Sequence, residues 1–248
     1  MIEFTANTVL LDIEGTLSPV SYVYDVLFPF ALQNARSYLE RCWDDPNTLQ
    51  ACDLMARDAG FASSYDWLDV SESKREDMIN KVVAEVERLV AADAKSRGLK
   101  ELQGFIWAEA YASGKLCSKV FEDVPQALAC WKASKLLMAI YSSGSATAQR
   151  EFFGHTEFGS LVDYFAGFFD TACGPKKEAE SYRRITNLLN RNASEMVFMS
   201  DIVAELDAAR EAGLQTLLLL RPGNAKQTES DHQKIESFYD LRILQPVS

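Results

Sequence analysis

Asp12 and Glu14 stand two positions apart at the end of an apolar run, Val9-Leu10-Leu11-Asp12-Ile13-Glu14-Gly15-Thr16. Holding two acids together costs free energy unless a cation lies near them or a pKa rises. Three further polar groups recur along the chain: Ser142-Ser143, Lys176 within Gly174-Pro175-Lys176, and Asp201 after Phe198-Met199-Ser200. Together they are what phosphoryl transfer needs. Acidic residues can hold Mg²⁺, which takes hard oxygen ligands and keeps several waters beside a substrate phosphate. A Ser hydroxyl and backbone N–H groups at a helix start cradle phosphate oxygens. A Lys sets a point charge against the developing negative charge. Asp12 would then attack phosphorus to give an aspartyl-phosphate. Glu14 would protonate the leaving alkoxide and later take a proton from the hydrolysing water. Each residue also has a plainer reading: Asp and Gly favour turns, Ser142, Ser143 and Asp201 could cap helices, and a lone Lys is often a solvated charge. Their order along the chain favours the chemistry.

Those groups need a frame, and the periodicity supplies one. Val9–Leu11, Leu136–Tyr141, Met196–Met199 and Thr216–Leu220 are short apolar runs that end in turn signals, the pattern of strands buried on both faces. Helical patterns separate the later ones: Val124–Ser134, Ala146–Phe153, Lys177–Asn190 and Val203–Ala212. Alternation of this kind implies an α/β fold with a doubly wound, Rossmann-like parallel-sheet core. Asp12, Ser142 and Asp201 all follow strand ends, where open α/β sheets bind ligands. Between Thr16 and about Leu116 the pattern is helical. Asp77–Ala92 is its clearest element, with Met78, Ile79, Val82, Val83, Val86, Leu89 and Val90 on one stripe. Trp43–Asn47 reads as a loop, Leu49–Arg57 as a short helix, and Pro29 as a kink or a fresh start. The expected organisation is a first core segment (1–17), an inserted helical domain (18–117) and a second core segment (118–248). Phe238–Leu244 is expected to dock on the core, and His232, in a polar stretch, to be exposed.

The 248 residues are 48% hydrophobic and 25% charged, which suits a soluble globular chain with a sizeable core. A net charge of −11 disfavours nucleic acid and anionic membranes as partners. The longest later apolar run, Leu136–Tyr141, falls far short of the roughly 20 residues that span a bilayer, and no secretory apolar segment opens the chain. Five cysteines without a CxxC pair read as free thiols of a reducing compartment. A cytoplasmic monomer acting on a small molecule is the expectation.

The Asp-x-Glu-Gly-Thr stretch resembles the first motif of the haloacid dehalogenase-like phosphohydrolases, with Glu14 where most of them carry Asp. Ser142, Lys176 and Asp201 resemble the later motifs in the expected order, and the helical insert resembles their cap. More narrowly, Asp12–Thr16, Leu27-Phe28-Pro29, Tyr141–Ser145, Phe153-Gly154-His155, Glu180–Arg183 and Arg221-Pro222-Gly223-Asn224 resemble the enolase-phosphatase (acireductone synthase) family over nearly the whole chain. The resemblance implies enolisation of 2,3-diketo-5-methylthiopentyl-1-phosphate and then its dephosphorylation in methionine salvage. It implies Mg²⁺ on Asp12, Glu14 and Asp201, catalysis by Asp12 and Glu14, and substrate contacts from Ser142, Ser143 and Lys176. Lys176, rather than Lys177, keeps the Gly-x-Lys spacing. His155 reads as structural more readily than as a base. Three other readings stay open on the sequence. They are a phosphatase of this fold for another ester, a dehalogenase, and a silent binding protein.

Overall fold

The computed structural model describes residues 1–92, 94, 96–227 and 229–246. The chain forms two compact units, one of Met1–Val23 with Cys117–Ser248 and one of Tyr24–Leu116. Strands β1 (Ile2–Thr5) and β2 (Thr8–Leu11) open it, followed by α1 (Val20–Tyr22) and one turn of π-helix, Val23–Leu27. Pro29 lies in the first turn of α2 (Phe28–Cys42), so it starts a helix rather than kinking one.

The regular elements of the second unit are helices among its described residues: α2, α3 (Pro46–Asp58), α4 (Ser64–Leu68), α5 (Arg75–Ala91) and α6 (Arg97–Ala112), joined by turns. Asp45 caps α3 by accepting from Asn47 N at 2.8 Å, so the Trp43–Asn47 stretch contains a helix start as well as a loop. Here α3 packs on α6, and α2 on α5 and α6. Leu39, Met55, Val82 and Leu102 are fully buried between them.

The first unit carries α7 (Val124–Ala133), β3 (Leu137–Tyr141), α8 (Ala146–Gly154), β4 (Gly167–Phe169), α9 (Ala179–Leu189), β5 (Met196–Ser200), α10 (Val203–Glu211), β6 (Gln215–Leu219), β7 (Gln233–Ile235) and β8 (Leu241–Leu244). Six strands form one parallel sheet in the order β4-β3-β2-β5-β6-β7, and β1 pairs with β8, also in parallel. Every residue of β2 is buried, as a central strand covered on both faces requires. From β2 the chain winds outward through β3 and β4, then returns to β5 on the other side of β2. The winding therefore reverses at β2, and its carboxyl end opens a crevice. Register places Leu11 beside Ile140 and Met199, so the residues that follow β2, β3 and β5 share that edge.

His232 departs from expectation. It is buried at 6% exposure, with Nδ1 2.8 Å from Thr216 Oγ1 and Nε2 3.1 Å from Asp207 Oδ1. Polar neighbours in sequence suggested solvent, but a polar pocket of the fold satisfies both ring nitrogens. Phe238, by contrast, is buried on the core side, stacked edge-on against Trp131 at 5.2 Å.

Candidate active site

Asp12 follows β2 directly and is 3% exposed. Its Oδ1 accepts from Ile13 N at 2.7 Å and meets Lys176 Nζ at 2.6 Å, so two donors fix the carboxylate's orientation. Lys176 Nζ also meets Glu205 Oε2 at 2.7 Å. Burial disfavours this ammonium, but the carboxylates of Asp12 and Glu205 outweigh it and hold the pKa above the ordinary value. The backbone around Lys176 is fixed by side chains: Tyr182 Oη donates to its carbonyl at 2.6 Å, Tyr141 Oη to Gly174 O at 2.8 Å and Ser181 Oγ to Pro175 O at 2.7 Å. Lys177 is exposed.

Ser142 Oγ donates to Glu14 Oε2 at 3.1 Å and accepts from Gly144 N at 3.3 Å. Neither Ser142 nor Ser143 caps α8. Ser145 does so, accepting from Ala148 N. Ser142 is thereby left to the crevice, while Ser143 is exposed at the turn. Burial first, then the Asp12 charge, raises the Glu14 pKa, which favours the protonated form a general acid needs.

Asp201 is 5% exposed and does not cap α10, whose cap residue is Ile202. Burial, then Asp12 and Glu205, push its pKa up to about 7. A Cβ on Gly15 would lie 2.3 Å from Asp201 Oδ2, so the loop after Asp12 runs directly against this carboxylate. Sequence reasoning missed Glu205. It is 8% exposed, accepts from Ser200 Oγ at 2.9 Å, and has its pKa raised by burial and by Asp12. A signal was present, because Asp201 and Glu205 are four apart across a helix start and so fall on one face. His155 lies apart from this group, with Nδ1 2.9 Å from Glu151 O.

Four carboxylates (Asp12, Glu14, Asp201, Glu205) thus gather around the single positive charge of Lys176. A surplus of buried negative charge made of hard oxygen donors fits a small divalent cation. Among the described residues no group of three or more His, Cys, Asp or Glu side chains is placed to hold a metal ion by itself. Mg²⁺ does not need one, since waters and substrate phosphate normally complete its shell.

A parallel sheet with a buried carboxylate group at its switch point is the frame of a class of α/β enzymes, and the family model of the haloacid dehalogenase-like hydrolases matches residues 6–213. The chain is 43% identical over 238 residues to enolase-phosphatase E1 of Synechococcus elongatus, covering 95% of this chain and 97% of that one. It is 45% identical over 232 residues to a probable bifunctional methylthioribulose-1-phosphate dehydratase/enolase-phosphatase E1 of Physcomitrium patens, covering 91% of this chain and 46% of that longer one. The crystal structure of the UTR4 protein of Saccharomyces cerevisiae superposes with a TM-score of 0.75 at 31% identity, covering 96% of this chain and all of that one. The chain belongs to the haloacid dehalogenase-like hydrolases, on their enolase-phosphatase branch.

Proposed function

We propose that this chain is a bifunctional enolase-phosphatase of methionine salvage. It enolises 2,3-diketo-5-methylthiopentyl-1-phosphate and then hydrolyses the phosphate through an aspartyl-phosphate to give acireductone. The reading is carried by the buried group in which Lys176 bridges Asp12 and Glu205 beside Glu14 and Asp201. Near-full-length similarity to enolase-phosphatases supports the particular substrate.

In this reading Asp12, aimed by Ile13 N and Lys176, attacks phosphorus in line with the leaving oxygen. Glu14, whose pKa burial and then the Asp12 charge raise, gives a proton to the departing alkoxide. As a carboxylate it then takes one from the water that opens the acyl phosphate. Ser142, Ser143 and Lys176 bind the phosphoryl oxygens, and Lys176 opposes their charge. Asp12, Glu14 and Asp201 would hold Mg²⁺, which when bound supplies positive charge against the phosphate. The segment 18–117 is the cap of such an enzyme. The protein works as a monomer on a small phosphate ester, without nucleic acid or membrane. Two observations support a cytoplasmic setting. Among the described residues no helix is long and apolar enough to cross a membrane, and all five cysteines are free.

The test follows ultraviolet absorbance of the enol and inorganic phosphate in one cuvette. Wild type with Mg²⁺ gives both signals and with EDTA gives no phosphate. Asp12→Asn keeps the shape but cannot form the acyl phosphate, so enol accumulates without phosphate. Phosphate release by Asp12→Asn at the wild-type rate refutes the nucleophile assignment. Phosphate without enol indicates a phosphatase for another ester.

A further inference from the structure

The turn Arg221-Pro222-Gly223-Asn224 takes no part in the chemistry above, yet its two polar side chains reach the loop after Asp12. That loop satisfies its own N–H groups: Ile13 O accepts from Thr16, Leu17 and Ser18, and Gly15 N donates to Ser18 O at 2.8 Å. Its carbonyls at Gly15 and Thr16 are taken from outside. Asn224 Nδ2 donates to Gly15 O at 2.9 Å, and Arg221 Nε donates to Thr16 O at 3.2 Å. One turn thus grips two consecutive carbonyls.

The two grips differ in kind. Arg221 is held by many partners: its guanidinium forks onto Asp123 at 2.7 and 3.0 Å, donates to Glu236 O at 3.0 Å, and lies over the rings of Phe121 and Phe238 at 4.5 and 4.6 Å. A fork so held fixes Thr16 as a post. Asp12 is fixed on the other side by β2 and Lys176. Between those posts the soft joint is Gly15, at φ +73°, where the backbone has the most freedom. On its far side the peptide is held within the loop by Thr16 N, which donates to Ile13 O at 3.2 Å, and from outside by the amide of Asn224 on the Gly15 carbonyl, that amide being itself tied to Leu219 O at 3.3 Å. Glu14 is the residue immediately before that joint, and its carboxylate must meet Ser142 at 3.1 Å.

We propose that Asn224 is a positioning residue for the phosphatase step, locking the Gly15 joint so that Glu14 keeps its aim beside Asp12. The inference rests on the roles given above to Asp12 and Glu14. Without the lock the joint samples other angles, and a carboxyl displaced by an ångström loses proton transfer far more than it loses binding.

The experiment compares wild type, Asn224→Leu (similar shape, no amide) and Asn224→Ala, with Asp12→Asn alongside. Expected for both Asn224 variants are a kcat for phosphate release lowered roughly 10- to 100-fold, a KM within about threefold, and a kept fold. Hydrogen exchange of the amides at 15–18 should quicken while those of β2 stay protected. A kcat within twofold of wild type overturns the proposal, as does slowed turnover with unchanged exchange at 15–18. Should the Leu variant not fold, the Ala variant decides by the same two readouts. Active Asp12→Asn overturns the site reading instead, and the exchange comparison then decides the lock alone.

Discussion

Replacing Gly15 by Ala perturbs the site at one atom. The new Cβ would lie 2.3 Å from Asp201 Oδ2, 2.5 Å from Asp201 Cγ and 2.9 Å from Asn224 Oδ1. Ordinary van der Waals contact begins about 1 Å further out, so the Asp201 carboxyl or the loop must move by that amount. Asp201 is 5% exposed and flanked by the other acids, so it has little room to retreat. Two costs are separable. The left-handed backbone, φ +73°, penalises Ala by about 1–2 kcal/mol, or roughly 2–8 °C in Tm for a chain of this size. A shift of 1 Å at a reacting constellation lowers kcat by about 10²-fold. The assay is phosphate release on the folded variant, with Tm by circular dichroism. A variant that loses the expected stability but keeps wild-type kcat would refute the reasoning, for it would show that Asp201 can move without consequence.

Lys176→Met leaves Asp12 and Glu205 buried without their shared ammonium, a loss of roughly 3–5 kcal/mol in EDTA. Mg²⁺ should restore part of that stability, and equal melting losses with and without Mg²⁺ would count against a cation in this group. The Asp123–Arg221 pair predicts an acid limb. Burial opposes the Asp123 charge, but hydrogen bonds from Arg221 and Ser237 outweigh it and hold the pKa below the usual carboxylate value. Its contribution is therefore complete above about pH 4 and is lost as pH falls through the lower, folded-state pKa. Asp123→Asn should cost about 3–5 kcal/mol at pH 7, with the gap to wild type closing below pH 4 in urea titrations. A constant gap down to pH 2 would remove Asp123 from acid unfolding.

Strands β2, β3, β5 and β6 were legible because their apolar runs end in turns, and each was found within a residue or so of its place. The positions of the candidate residues that follow them, Asp12, Ser142 and Asp201, were legible for the same reason. Strands β1, β7 and β8 were not: Ile2–Thr5, Gln233–Ile235 and Leu241–Leu244 mix polar with apolar residues and so carry no apolar run, and pairing alone marks them, as that of Ile2 with Leu241 does. Pairing of that kind leaves no local period to read. The Arg221 fork onto Asp123 is equally silent, since its partners are brought together only by the finished fold. Asp45 was readable as a helix start, with Pro46 after it, but the Trp43–Asn47 cluster masked the signal.

The central place of β2 governs when the enzyme comes into being. Thr8 pairs with Leu137 on one side and Met196 on the other, so the strand that carries Asp12 leaves the ribosome long before either neighbour exists. At about 5–20 residues per second, the wait for β5 is roughly 10–40 s. Until β3 emerges Val9-Leu10-Leu11 is an apolar segment with both edges unpaired, and one edge stays open until β5, whereas the helices of Tyr24–Leu116 emerge before either neighbour. Contacts so remote in sequence make for slow closure and a sticky nascent chain. A ribosome stalled before Met196 would release a polypeptide with a finished helical unit, no hydrolase, and an open invitation to aggregate.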